Sequence, residues 1–135
     1  MRVRAAAGLA LLPLLVAWAA SAQAPASTGV YTAAQAERGG ALYAQHCARC
    51  HGDALEGTDV AQPLTGLGFL DNWTGQPIAV LIQRIHISMP LETPGLLDAA
   101  ASVDVTAFML QTNGYPPGKA ALPADASSPL DGPTK

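Results

Sequence analysis

Two cysteines and a histidine stand together as Cys47-Ala48-Arg49-Cys50-His51, and the chain has no other cysteine. On a helical turn, positions three and four apart share a face, so Cys47, Cys50 and His51 can all address one flat ring. Cys-x-x-Cys-His reads as the attachment site of a c-type haem. The two thiols would add to the vinyl groups as thioethers, and the imidazole would approach the iron. A redox dithiol and half of a zinc site use the same Cys-x-x-Cys spacing. The dithiol wants a βαβ setting, which the sequence does not show. The zinc site wants a second pair of ligands, for which only His46 and His86 remain.

A second axial ligand has a candidate in Met89. Most methionines fill cores, and Met109, inside an apolar helical stretch, reads that way. Met89 instead leaves a helix into a loop fixed by Pro90, where a thioether can be presented inward. Met/His ligation would occupy both axial positions and raise the potential. His86 is the rival ligand, and His46, just before the attachment turn, is expected to face solvent. A metal-bound imidazole usually donates its other N–H to a fixed acceptor. The loop Ala61-Gln62-Pro63-Leu64-Thr65-Gly66 offers carbonyls for that purpose, Pro63 first and Gln62 next. Trp73 is either core or a partner for a haem propionate, since a buried indole N–H wants an acceptor.

Helices must position these groups. Thr32 and Gln35 have the spacing of a capping box, and Ala36, Gly40, Tyr43 and Cys47 follow at helical intervals. Gly39 and Gly40 within that helix should each cost about 1 kcal/mol relative to alanine; close approach of a second helix is the usual justification. Glycine-rich loops follow His51. Pro77 then suits a first helical turn, and Ile78, Leu81, Ile82 and Ile85 form an apolar stripe. Asp98 is a good N-cap for a last helix through Val103, Val105, Phe108 and Leu110, ending at Asn113-Gly114. No strand is convincing, and the predicted fold class is all-α.

A length of 135 residues allows one domain. Arg2 and Arg4 precede an apolar run, Ala5 to Ala20, and small residues follow as Ala20-Ser21-Ala22. This predicts a signal peptide over residues 1–22 with Ala-x-Ala cleavage, an uncleaved anchor being the alternative. Residues 23–31 read as a linker, 32–118 as the domain, and 119–135, rich in Ala, Pro, Ser and Asp, as a disordered tail. Cleavage would remove two of the seven cationic side chains, taking the formal charge from −3 to −5. An acidic domain of this kind argues against nucleic acid as a partner, and no stable membrane insertion is expected after cleavage. The remaining chain is small for a self-sufficient core, so a buried macrocycle would supply missing apolar surface. Export fits the motif, because a haem captures thiols that an oxidising compartment would otherwise pair.

The pattern resembles the monohaem class I cytochrome c family over roughly residues 32–118. The shared features are Gly39 and Tyr43 ahead of Cys47-x-x-Cys50-His51, the Pro63-Leu64-x-Gly66 loop, Trp73, Met89-Pro90, and a terminal helix with Val105 and Phe108. The resemblance implies a cytochrome c fold of about three to four helices around one covalent haem c. Cys47 and Cys50 would be the thioether sites, His51 and Met89 the axial ligands, and Pro63 would steady His51. It also implies that the first and last helices cross with glycine against an aromatic ring, which would account for Gly39. Trp73-x-Gly75, Leu81-x-x-x-Ile85-x-x-x-Met89-Pro90, Pro94-Gly95 and Asn113-Gly114-Tyr115-Pro116-x-Gly118 are similar to cytochromes associated with periplasmic quinoprotein dehydrogenases.

The expected function is therefore a soluble periplasmic electron carrier, not itself an enzyme. It would accept electrons from a dehydrogenase, which the resemblance implies is of the quinoprotein kind, and pass them to a terminal oxidase or another cytochrome. The alternative is a haem enzyme or gas sensor with an open sixth position, for which Glu92 and His86 are the distal candidates.

Overall fold

A computed structural model of the chain describes residues 29–133. The expected leader and most of the expected linker lie outside the described residues. The first helix, α1 (Ala33–His46), begins where the capping box places it. The Thr32 side chain accepts from the Gln35 backbone N–H, and the Gln35 side chain accepts from the Thr32 backbone N–H. Two groups that a helix start leaves unpaired are thereby satisfied reciprocally. A single turn, α2 (Ala48–His51), carries the attachment motif, and α3 (Gly66–Trp73), α4 (Ile78–Ser88) and α5 (Ala99–Thr112) follow. Asp98 caps α5 as its residue type predicts, accepting from Ala101 N at 2.8 Å. Five helices among the described residues exceed the expected three to four, because α2 is a bare turn and α3 lies in sequence that reads as loop.

The fold is built on the crossing of α1 and α5. Gly39 abuts the α5 backbone so closely that a Cβ there would lie 1.8 Å from the Asp104 carbonyl oxygen. The resemblance pointed to an aromatic ring opposite Gly39. The ring is instead opposite its neighbour: a Cβ on Gly40 would meet Phe108 at 3.2 Å. Phe108 also leans on Tyr43, with ring centroids 5.3 Å apart. Arg38 clamps the same crossing, donating to both carboxylate oxygens of Asp104 at 2.6 and 2.8 Å. The expected stripe on α4 is real. Ile78, Leu81, Ile82 and Ile85 are buried and join the core formed with Val103, Val105 and Leu110. No helix among the described residues is long and apolar enough to cross a membrane.

The largest departure from expectation is the stretch from Lys119, which composition predicts to be disordered. Through residue 133 it packs on the helices, with Leu122, Ala126 and Leu130 buried. The physical reason lies at the start of α4, where Pro77 offers no side-chain cap. Carbonyls of Ser128 and Ala126 accept from Ile78 N and Ala79 N at 3.1 and 2.9 Å, and so cap that helix from outside. Gly75 N and Leu130 O, and Leu130 N and Gln76 O, pair at 2.8 Å each. Gln35 grips the segment from the other side, accepting from Leu122 N and donating to Leu122 O. The last residues of the expected linker are fixed as well. Tyr31 is fully buried, its hydroxyl donates to Tyr115 O, and its carbonyl accepts from Gly118 N.

Candidate functional site

The attachment turn is set by backbone bonds. Cys50 N and His51 N both donate to Cys47 O, at 3.1 and 3.0 Å, and Cys47 N donates to Tyr43 O. A break at Cys47 separates this turn from α1, and Cys47, Cys50 and His51 come to one side. They face a cavity of about 610 Å³ with mainly apolar walls. Its size lies within the ~300–1,000 Å³ range of small-molecule and cofactor sites. Cys47, Cys50, His51 and Met89 all line it.

His51 is held in one tautomer. Its Nδ1 lies 2.9 Å from Gln62 O. A carbonyl only accepts, so Nδ1 carries the proton and Nε2 keeps its lone pair for a metal. Gln62, the second of the two expected acceptors, supplies that oxygen. Pro63 is exposed and does not line the cavity, which corrects its placement among the cofactor-binding residues. Two bonds dictate the loop's path: Leu64 N donates to Leu55 O and Gly57 N to His51 O, each at 2.8 Å. Together they bring the Gln62 carbonyl, one residue before the proline, over the imidazole.

The far side of the cavity comes from α4. Leu81, Arg84 and Ile85 line it from three and four residues apart, and Met89, the C-cap, continues the series. Trp73, at the end of α3, lines the cavity half-buried, and Val105 and Met109 enter from α5. Met109 is thus both core, as expected, and cavity wall. His86 is not placed as a rival ligand. Its Nδ1 lies 2.9 Å from Leu97 O, and it borders a separate hollow between α4, α5 and the last segment. His46 departs from the solvent-facing expectation: three residues after Tyr43 on α1, it shares that residue's face and lines the cavity. The Arg49–Glu92 pair at the cavity mouth was also not foreseen. No sequence signal marks a pair of exposed charges so far apart in the chain.

The thiol chemistry separates the rival readings of Cys-x-x-Cys. Redox dithiols have depressed thiol pKa values, whereas burial, with a smaller contribution from neighbouring Cys50, pushes the Cys47 thiol up to about 11. Burial around Cys47 thus works against a thiolate there, unlike the settings that activate an attacking thiol. Among the described residues, no group of three or more His, Cys, Asp or Glu side chains is arranged to hold a metal ion by itself. The donors fit an apolar macrocycle that brings its own metal. Two thiols stand at one edge of the cavity, an imidazole is oriented by a carbonyl, and the wall between helices is apolar.

Comparison with known proteins agrees with this geometry. The family model described as cytochrome c oxidase, cbb3-type, subunit III matches residues 34–109, more than half of the chain. The crystal structure of the sulfane dehydrogenase SoxCD from Paracoccus pantotrophus contains a similar chain. It is 30% identical with a TM-score of 0.50, over 81% of this chain and 59% of that one. This chain therefore spans less than two thirds of that relative's length. Thiosulfate dehydrogenase (TsdBA) from Marichromatium purpuratum, in its as-isolated form, matches at 29% identity and a TM-score of 0.43. That match covers 62% of this chain and 20% of that one. No curated protein matches. With the attachment turn, the oriented imidazole and the family match in agreement, the chain belongs to the c-type cytochromes described as cbb3-type cytochrome c oxidase subunit III, an all-α electron-transfer module.

Proposed function

We propose that this chain is a single-haem electron carrier. In it, Cys47 and Cys50 hold the porphyrin as thioethers, and His51 and Met89 are its axial ligands. The observation that carries the reading is the single cavity lined by all four side chains. When bound, the haem supplies one-electron chemistry as its iron alternates between ferrous and ferric, at a potential raised by Met/His ligation. The chain's own residues bind, orient and dry the site. Gln62 O fixes the His51 ring, and Leu81, Ile85 and Val105 exclude water along the wall. Trp73 lines the same cavity, which supports a role for its indole N–H as partner to a propionate. Met89 is preferred over Met109 because it leaves α4 in an extended conformation at a proline-fixed loop, whereas Met109 is 2% exposed within the last turn of α5.

The carrier works in a bacterial periplasm after cleavage behind Ala22, and is not itself an enzyme. A dehydrogenase as electron donor is supported by the likeness to a chain of the sulfane dehydrogenase structure, and the quinoprotein kind by the motifs near Trp73, Met89 and Tyr115. A terminal oxidase or another cytochrome would take the electrons onward. The deciding experiment is haem staining after a denaturing gel, with absorption spectra of the oxidised protein. Covalent stain and a methionine-to-iron charge-transfer band are expected. Absence of stain from protein matured in an exporting, haem-loading host would reject the reading. The sensor alternative expects rapid carbon monoxide binding to the reduced protein at neutral pH. It has less support, since His86 is engaged by Leu97 O and the Glu92 carboxylate by Arg49.

A further inference from the structure

Arg49 stands between the two cysteines, and Glu92 stands three residues beyond Met89. Across the cavity mouth, Arg49 Nη2 donates to Glu92 Oε1, and the same oxygen lies 3.9 Å from Cys50 Sγ. The segment 90–96 has little else to hold it. None of its residues is buried, and Leu91 is 70% exposed. Its backbone bonds, Thr93 N to Pro90 O and Leu96 N to Thr93 O, stay within the segment. At its two ends, Met89 N bonds to Ile85 O, and Leu97 is buried in the core with its carbonyl meeting His86 of α4. Among the described residues, no backbone hydrogen bond ties 90–96 to the attachment turn. Segments with few buried apolar contacts open at low cost.

We propose that Arg49 and Glu92 form a clasp that holds the Met89 loop closed against the cysteine-bearing turn, so that one exposed ion pair sets how often the methionine withdraws. The inference rests on the axial role assigned to Met89 above. Arg49 and Glu92 are positioning residues that act through the loop. Exposed ion pairs contribute little and are screened by salt, so removing the clasp shifts the loop equilibrium by about two- to fivefold. An added ligand that binds only the open form reports that shift directly, because its apparent affinity scales with the open fraction.

The test uses the haem-loaded ferric protein and imidazole as the probe, titrated against the methionine charge-transfer band. The variants are Arg49→Ala, Glu92→Gln, the double variant, and the exchanged pair Arg49→Glu with Glu92→Arg. At low salt each single variant is expected to bind imidazole about two- to fivefold more tightly than wild type, with the double variant no tighter than either. The exchanged pair should return toward wild type, and the differences should close near 1 M salt, where screening acts over about 3 Å. Stained haem should stay unchanged in all of them, and the thermal midpoint should fall by less than about 8 °C, the most that a fivefold loss of the closed form allows. Equal affinities in all five proteins, or additive effects in the double variant, would overturn the clasp while leaving the carrier intact. A wild-type protein with stained haem but no methionine band would remove the axial role of Met89, and the clasp with it.

Discussion

Gly39→Ala tests the central crossing. The new Cβ would sit 1.8 Å from Asp104 O, 2.4 Å from Asp104 C and 2.9 Å from Val105 N, all backbone atoms. Contacts below 3.0 Å are essentially never tolerated, so α1 and α5 must part by about 1 Å or more, with loss of dispersion contacts along the interface. Overpacking costs ~1–3 kcal/mol, and a clash with backbone rather than a rotatable side chain puts this case at the top of that range. Alanine returns ~1 kcal/mol of helix propensity, which leaves a net loss of about 2 kcal/mol. For a domain of about 100 residues that lowers the thermal midpoint by roughly 8–16 °C. Gly40→Ala is the internal control. Its Cβ meets the half-buried Phe108 ring at 3.2 Å, the ring can tilt away, and the same propensity gain applies. Its midpoint should stay within about 5 °C of wild type. The assay is thermal unfolding of the haem-loaded protein followed by far-ultraviolet circular dichroism. A Gly39→Ala midpoint at or above wild type, or a larger loss in Gly40→Ala, would refute the account of the crossing.

Met89→Ala should abolish the methionine charge-transfer band while Met109→Ala retains it, at a cost of about 2–5 kcal/mol in stability as a buried truncation; the reverse pattern would move the ligand to α5. Truncation after Gly118 removes the carbonyls that cap Ile78 and Ala79 and uncovers the sites of Leu122 and Leu130. Each buried leucine contributes ~1.5–3 kcal/mol, so the shortened protein should melt lower, with faster amide exchange at the start of α4 than in α5. Burial raises the phenol pKa values of Tyr31, Tyr43 and Tyr115 above the ordinary 10.0. A raised folded-state value means that the unfolded chain loses these protons first, so their contribution is complete below pH 10 and declines as pH rises above it. Urea unfolding at stepped alkaline pH should show stability falling from about pH 10, with tyrosinate absorbance appearing together with unfolding; early tyrosinate absorbance in the folded protein would contradict the burial argument.

Local chemistry made much of the molecule legible. The Thr32–Gln35 box, the Asp98 cap and the α4 stripe are short-range signals, and each fixed a helix start or face that the structure repeats. The Cys-x-x-Cys-His motif is equally local, since one turn of backbone brings its three side chains to one cavity. The third helix, α3, escaped because Gly66 and Gly68 imitate a loop and Thr65 gives no side-chain cap. Its only trace was the Phe69, Leu70, Trp73 spacing, too short to outweigh two glycines. Residue type favours Pro63 over Gln62, but which carbonyl reaches His51 is decided by the loop's register against Leu55, a bond across nine residues with no sequence mark.

The segment after Lys119 shows why composition alone misleads at the end of such a chain. Alanine, proline, serine and aspartate lack the apolar density to fold by themselves, and a disordered tail is the sound inference for an isolated peptide. Here the segment meets a demand created elsewhere. A helix that starts on Pro77 leaves N–H groups without a side-chain acceptor, and the Ala126 and Ser128 carbonyls of this segment satisfy two of them. Three well-separated apolar residues, Leu122, Ala126 and Leu130, are then enough to seat it. This gives the segment a part in the site as well. By bonding to Gly75, Gln76, Ile78 and Ala79 it fixes the join between α3 and α4. That join sets the distance between Trp73 on one wall of the cavity and Leu81, Ile85 and Met89 on another.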